Sequence, residues 1–365
     1  MSSFTAASKN NLTFLELRAL AERLQAHERL IMAKPGGQRA VLNFANLRNL
    51  TLRRRRFDEI SLLSADLSFS DLSETVLDRA LLMGANLANS NFTKASLKRA
   101  DLRGAALRGV RFDNANLNGA DFREATVVFH NEARGWQIVT SNDDKVGAHF
   151  IGCSLIDANF NNANLKNACF DGAILKGATF ARASLRNASF NDAVLIGVDI
   201  TQLQVPKECL KNCLMDPEPH ILADLPELQR RLDQHETWAK TNGRQGSACT
   251  FEGDDLRVLH ALTPKRTLTG IKMRLVCCVG LDFSSCELQG ADFTGSDLRA
   301  AIFKNADVRG AIFTNAKLAH SDFEGADISP LRLSNGTLLK TQFDNADLTG
   351  SRCLPQPHKP PMSNK

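Results

Sequence analysis

Residues 80–107 read ALLMGANLANSNFTKASLKRADLRGAAL, and one rule accounts for them. An apolar residue stands at every fifth position: Leu82, Leu87, Phe92, Leu97, Leu102 and Leu107. Two places before most of them stands alanine: Ala80, Ala85, Ala95, Ala100 and Ala105. A period of five fits neither the 3.6 of an α-helix nor the 2 of a flat strand. In the same frame an unbroken run of 18 apolar centres extends from Leu42 to Val127. The frame restarts at Phe150 and runs to Ile200. It returns at Phe283 and continues through Ile328, Leu333, Leu338 and Phe343 to Leu348, with a weaker extension back through Cys278 and Met273 to Leu268.

The unit Ala-Asp/Asn-Leu/Phe-x-x suits a narrow prism with room for one large and one small inward side chain per face. It leaves little slack, because protein interiors are packed to near crystal density. The pattern closely resembles the pentapeptide-repeat family, in which four units make one square coil. The resemblance implies a mainly β fold: a right-handed quadrilateral (pentapeptide-repeat) β-helix solenoid, here with an N-terminal capping helix and a second helical insertion. Phe takes alternate centres in the later blocks, so a ten-residue step should place the rings in two columns on opposite faces. Leu82, Phe92, Phe112, Phe160, Phe170, Phe180, Phe190, Phe293, Phe303, Phe313 and Phe323 are the expected structural core. The Asp residues beside the centres belong to the repeat and are not paired catalytic acids.

Two segments outside the frame read as helices. Residues 12–34 open with a Thr13/Glu16 capping box and put Leu17, Leu20, Leu24, His27 and Ile31 on one face. Pro35-Gly36-Gly37 ends the segment. It is placed to cover the open strand edge of the first coil. Residues 225–241 read likewise, with Asp224 and Glu227 as a box and Leu228, Leu232 and His235 inward. Glu22-Arg23-Leu24-Gln25-Ala26-His27-Glu28 aligns with Arg230-Arg231-Leu232-Asp233-Gln234-His235-Glu236, which suggests a helix-plus-solenoid unit present twice. The expected organisation is a cap over 1–37, repeat block 1 over 38–127, and a loop or hairpin insertion over 128–149. Block 2 then covers 150–205, a helical insertion 206–267, block 3 268–350, and a Pro-rich disordered tail 351–365.

The formal net charge is +5, and it is uneven. Residues 1–127 hold 19 Lys and Arg against 13 Asp and Glu, while residues 201–365 balance at 20 each. The densest charge is Arg53-Arg54-Arg55-Arg56. It reads either as a solvated edge or as a contact for an acidic partner. Arg55 falls on the small inward position, which implies a distorted coil there. Nine cysteines show no paired framework, which suits free thiols in a reducing, cytoplasmic setting. The opening residues are polar and no apolar run reaches the ~18 residues of a membrane span, so neither a signal peptide nor a membrane location is expected.

No nucleophile elbow, phosphate loop or HExxH motif is present, and neither catalytic nor cofactor-binding residues are assigned. Cys209 and Cys213 lack a matching second pair, so no metal is assigned. The two equivalent histidines, His27 and His235, read as packing groups. The candidate partner-binding residues are Arg53, Arg54, Arg55 and Arg56, with Phe129, Trp136, Asp143 and Asp144 of the insertion. The function expected is a non-enzymatic protein–protein interaction scaffold in a bacterial cytoplasm, its partner another protein. One branch of the family acts on DNA gyrase by imitating duplex DNA, which makes a topoisomerase the alternative partner. The mild basicity and Pro-rich C-terminus here depart from that branch. Non-specific nucleic-acid binding through the basic N-terminal segment is a second alternative.

Overall fold

The computed structural model describes residues 14–124, 127–131, 135–139, 147–210, 212–259 and 264–352. Each five-residue unit has the same local form. The residue before a centre bridges in parallel to the residue twenty places on, as Val41 to Ser61, Ser61 to Leu81 and Leu81 to Asp101. Four units therefore close one coil. The centre's N–H donates to the next coil, as Leu62 to the Leu81 carbonyl at 2.8 Å. The following small residue closes the corner, as Ala65 N–H to the Leu62 carbonyl at 3.1 Å. The corner residue between them adopts positive φ, for example 58° at Asn49 and 56° at Asn89. Asn and Gly tolerate that region best, which is why they recur at the fifth position.

The chain divides between Asp216 and Pro217 into two compact units, each with its own apolar core. In the first unit, α1 (Phe14–Ile31) precedes the first coil and buries Leu20, Leu24 and His27. The expected capping residue Thr13 lies outside the described residues. All the expected core residues from Leu82 to Phe323 are buried. Phe92, Phe112, Phe150, Phe170 and Phe190 form one stacked column with centroids 4.8–5.3 Å apart. Phe122, Phe160 and Phe180 form the opposite column, at 4.7 and 5.0 Å. The two columns meet edge to face across the prism, as at Phe150–Phe160 (5.7 Å, 81°). Both geometries suit the ring quadrupole.

The first interruption begins one residue earlier than its expected boundary. Val127 is not a coil centre: it opens β1 (Val127–Asn131), which pairs antiparallel with β2 (Gly135–Val139). Asp143 and Asp144 lie outside the described residues. Coiling resumes where His149 bridges Arg111, in the place Asn131 would have held. The unit closes differently from its frame. Ile200 is 42 % exposed and starts a short 3-10 turn instead of pointing inward. Leu203 and Leu210 fold over the core there, and Val194 makes its last bridge to Leu214.

The second unit opens with α2 (Pro219–Ala223) and α3 (Leu225–Lys240). Asp224 is no capping box. It is already helical at φ −79°, ψ −9°, because α2 runs into it, and its side chain makes no cap bond; Glu227 instead pairs with Arg230 at 2.6 Å. Coiling begins earlier than residue 268. β3 (Thr250–Glu252) pairs parallel with β4 (Lys272–Arg274), which makes Phe251 and Leu256 buried centres. Near the other end, β5 (Leu331–Arg332) and β6 (Leu338–Leu339) form an antiparallel hairpin. Ile312 then bridges Gln342 instead of Arg332, and Phe343 stacks on Phe313 at 5.2 Å. Leu333 and Leu338 are consequently not core centres and are 36 % and 60 % exposed; Ile328 stays in register through the Asp307–Asp327 bridge but is 38 % exposed. No helix among the described residues is long and apolar enough to cross a membrane.

Candidate interaction surfaces

Arg55 does not distort its coil. Its carbonyl accepts from Val76 N–H at 2.9 Å, as the repeat requires. Among the described residues no coil precedes it, so the small position opens toward α1, and its guanidinium meets Glu28 of that helix at 3.0 Å. Glu28 also accepts from Arg56 N–H at 3.4 Å. Its neighbour His27 is fully buried and accepts from Ala40 N–H at Nδ1, 3.2 Å.

The second unit repeats this constellation. Arg266 meets Glu236 of α3 at 3.0 Å and Asp233 at 2.6 Å, and Glu236 accepts from Thr267 N–H at 3.3 Å. Cys249 N–H donates to His235 Nδ1 at 3.0 Å, and the opposite ring nitrogen faces the Thr269 carbonyl at 3.2 Å. Burial pushes both imidazoles below their ordinary pKa, leaving Nδ1 an acceptor. In each unit, helix, histidine and glutamate thus satisfy backbone donors of the first coil that no earlier coil can meet.

The remaining arginines of the run also have partners within the chain. Arg53 reaches Glu74 at 3.3 Å and Asp71 at 3.6 Å, Arg54 reaches Glu74 at 2.9 Å, and Arg56 reaches Asp58 at 3.4 Å. Arg54 keeps 73 % of its side chain exposed. The structure brings Phe129 and Trp136 into the β1–β2 hairpin at different cross-strand pairs, Phe129 opposite Gln137 and Trp136 opposite His130. It does not bring them together with the arginines into one described site.

Outward carboxylates are drawn into a recurring fork that the sequence reading missed. Arg103 folds back on Asp101, Arg123 on Asp121, Arg299 on Asp297 and Arg309 on Asp307, each at 2.7 Å, and Arg257 does the same on Asp255. Burial works to raise the Asp101 and Asp307 carboxyls, and hydrogen bonds from Arg103 and Arg309 outweigh it, leaving both below the usual range. The signal was present as Asp-x-Arg with the centre between. Cys213 donates to the Phe190 carbonyl at 3.0 Å, and burial pushes its thiol up to about 11. Among the described residues no group of three or more His, Cys, Asp or Glu side chains is arranged to hold a metal ion.

The family model for pentapeptide repeats matches residues 60–99, 95–127, 146–177, 173–205, 277–315 and 293–329, with eight copies in all. The chain belongs to the pentapeptide-repeat family. Among solved structures it is similar to full-length QnrB1, a plasmid-mediated fluoroquinolone resistance protein, at 20 % identity over 49 % of this chain and 96 % of that one, with a TM-score of 0.23. It is also similar to HetL of the cyanobacterium Nostoc sp. strain PCC 7120, a pentapeptide repeat protein involved in heterocyst differentiation regulation. There the identity is 17 %, the coverage 93 % and 97 %, and the TM-score 0.17. A pentapeptide repeat protein of the Arabidopsis thaliana thylakoid lumen matches at 22 % identity over 44 % and 68 %, with a TM-score of 0.13. No curated protein matches the sequence.

Proposed function

We propose that this pentapeptide-repeat protein is a non-enzymatic protein–protein interaction scaffold. Its solenoid winds right-handed, as the family implies, and its partner is another protein met in a reducing cytoplasm of bacterial type. The observation that carries the reading is the ladder itself. Backbone bonds twenty residues apart fix outward side chains in columns, and several repeat carboxylates, those of Asp101, Asp121, Asp297 and Asp307 among them, are committed to internal arginine forks. A rigid array of this kind positions contacts at little entropic cost. The hairpin residues Phe129 and Trp136, the neighbouring Asp143 and Asp144, and the exposed parts of Arg53–Arg56 are the candidate contacts. The eight free cysteines among the described residues support the reducing compartment.

The forks weigh against the DNA-mimic alternative, which needs unpaired carboxylates in phosphate-like rows. They leave a topoisomerase as the alternative partner and nucleic acid as the second alternative. The test is recovery of the tagged protein from its host after nuclease treatment, with partners identified by mass spectrometry. A stoichiometric protein that survives nuclease, and is lost when residues 127–146 are replaced by a short linker, supports the scaffold. A topoisomerase in that position turns the reading to the DNA mimic. Recovery of nucleic acid alone, with binding that falls steeply with salt, overturns it.

A further inference from the structure

The joint between each capping helix and its first coil repeats in detail. Ala40 and Cys249 hold the small position two places before the first centres, Leu42 and Phe251. Elsewhere the N–H at that position donates to the carbonyl of the preceding centre, as Ala65 to Leu62 and Ile271 to Leu268, both at 3.1 Å. Among the described residues neither Ala40 nor Cys249 has such a centre before it, and a histidine of the helix takes its place. Ala40 N–H meets His27 Nδ1 at 3.2 Å, and Cys249 N–H meets His235 Nδ1 at 3.0 Å. The entry to each coil thus rests on a side chain that titrates near neutral pH. The ladder between coils is backbone to backbone and has no proton to gain.

With Nδ1 accepting, the ring's own hydrogen is on Nε2, which in His235 faces the Thr269 carbonyl at 3.2 Å. A second proton therefore goes to Nδ1, where two donors then confront each other inside a fully buried contact. The surrounding charges do not relieve this. His27 has Glu28 on its own helix, Arg39 on the chain entering the coil, and Asp58 and Glu59 in the first coil. Glu28 is paired with Arg55 and Arg39 with Glu59, each at 3.0 Å, and Asp58 with Arg56 at 3.4 Å. Beside His235, Glu236 is paired with Arg266 at 3.0 Å and with Lys240 at 2.7 Å, Asp233 is paired with Arg266 at 2.6 Å, and the Trp238 ring lies 5.4 Å away. Burial is the dominant influence on both imidazoles and holds them below their ordinary pKa.

We propose that each capping helix is a proton-operated latch, closed by a neutral histidine and released from the first coil when that histidine takes up a proton. The helices are placed to leave alone. Besides its histidine, α1 buries Leu20 and Leu24, and α3 buries Leu228 and Leu232. Each precedes the first coil of its unit, so its release breaks no ladder bond between coils. Release uncovers the donors of Ala40 and Arg56 in the first unit and of Cys249 and Thr267 in the second, an open edge able to pair with another strand. The open state binds the proton more tightly, so closure is fully present above the free imidazole value of about 6.5 and is lost as pH falls below it. One proton per latch makes the opening equilibrium up to about tenfold larger at pH 5.5 than at pH 7.5. This inference does not rest on the scaffold reading, because the latch and its test concern the chain alone.

Hydrogen exchange with mass spectrometry on the full chain, at pH 7.5 and 5.5 with labelling times scaled for the intrinsic exchange rate, is the test. Amides of α1 and α3 should lose up to about tenfold of their protection at pH 5.5, while the coil centres from Leu67 to Leu102 and from Leu288 to Leu318 remain protected at both values. His27→Asn keeps an acceptor where Nδ1 stands but does not titrate, so α1 should lose its acid response while α3 keeps it. His235→Asn should reverse that pattern, and it is the independent variant should the first fail to fold. Helices equally protected at both pH values, helices that exchange only when the coils do, or an acid response of α1 that survives in folded His27→Asn overturns the proposal.

Discussion

Replacing Phe160 measures how much the ring columns contribute and how far their influence reaches. Phe160 is fully buried, stacked on Phe122 at 4.7 Å and Phe180 at 5.0 Å, with Phe150 and Phe170 edge-on at 5.7 Å. Phe160→Leu installs the side chain that the same face already uses at Leu62, Leu82 and Leu102, so it removes ring contacts more than volume. Ring pairs contribute about 0.5–1.5 kcal/mol each and do not add. Leucine restores part of the dispersion, so the expected cost is about 1–2 kcal/mol. Phe160→Ala leaves a cavity the coil cannot close, at about 3–5 kcal/mol. Each coil touches only its neighbours, and the two units have separate cores. Hydrogen exchange with mass spectrometry on the intact chain should show lost protection around residues 147–195 and none in the second unit. If Phe160→Leu is neutral and Phe160→Ala costs under about 1 kcal/mol, the columns are not the stabilising element described. Equal loss of protection in both units would refute the separation of cores.

Other outcomes follow from the caps and interruptions. Glu28→Ala removes the 3.0 Å ion pair to Arg55 and the acceptor of the Arg56 N–H. Discounted for partial exposure, it should cost about 1–2 kcal/mol by denaturant titration, whereas Arg54→Ala should change the midpoint far less. His27 and His235 have lowered folded-state pKa values, so the unfolded chain binds more protons. Stability should fall as pH drops below about 6.5, the free imidazole value, and His27→Leu should flatten that dependence in thermal melts while lowering the plateau. A Cβ at Gly147 would lie 1.9 Å from the Asn167 carbonyl oxygen, so Gly147→Ala should cost at least ~1–3 kcal/mol, read in the exchange of the coil that restarts there. Deleting residues 331–340 joins Ile328-Ser329-Pro330 to Thr341-Gln342-Phe343 in frame, and circular dichroism melts should show the second unit still folded.

The period of five made the core legible because it is a geometric requirement of the coil and not a local propensity. Interruptions were legible only when they broke that period. His149 stands where Asn131 was due, an offset that is no multiple of five, and the frame visibly fails. Asp255 bridges Cys277 with two residues added, and the frame is lost there too, so Phe251 and Leu256 went unread as centres. Gln342 stands where Arg332 was due, ten residues later, and the frame survives the insertion intact. Leu333 and Leu338 keep their phase while lying in an exposed hairpin. The remaining signs were Leu331 and Gly336 at positions where alanine is usual, and Pro330 beside them.

The distortion expected at Arg55 was a misreading, because a position rule derived inside the stack was applied at its end. Inside, the small position faces other coils and excludes an arginine; in the first coil it faces a helix, and Arg55 becomes the natural partner of Glu28. The duplicated unit separates these cases residue by residue. Arg55 and Arg266 are equivalent, and both bind the glutamate after the buried histidine. Arg53 and Arg56 correspond to Pro264 and Thr267, so closing a coil does not require them. Four adjacent charges thus hold one structural residue and at least two that the fold leaves free to vary. What both copies retain is set by the need to satisfy an open strand edge. What only one copy carries, Arg53 and Arg56 among it, is where selection for contact can act without cost to the coil.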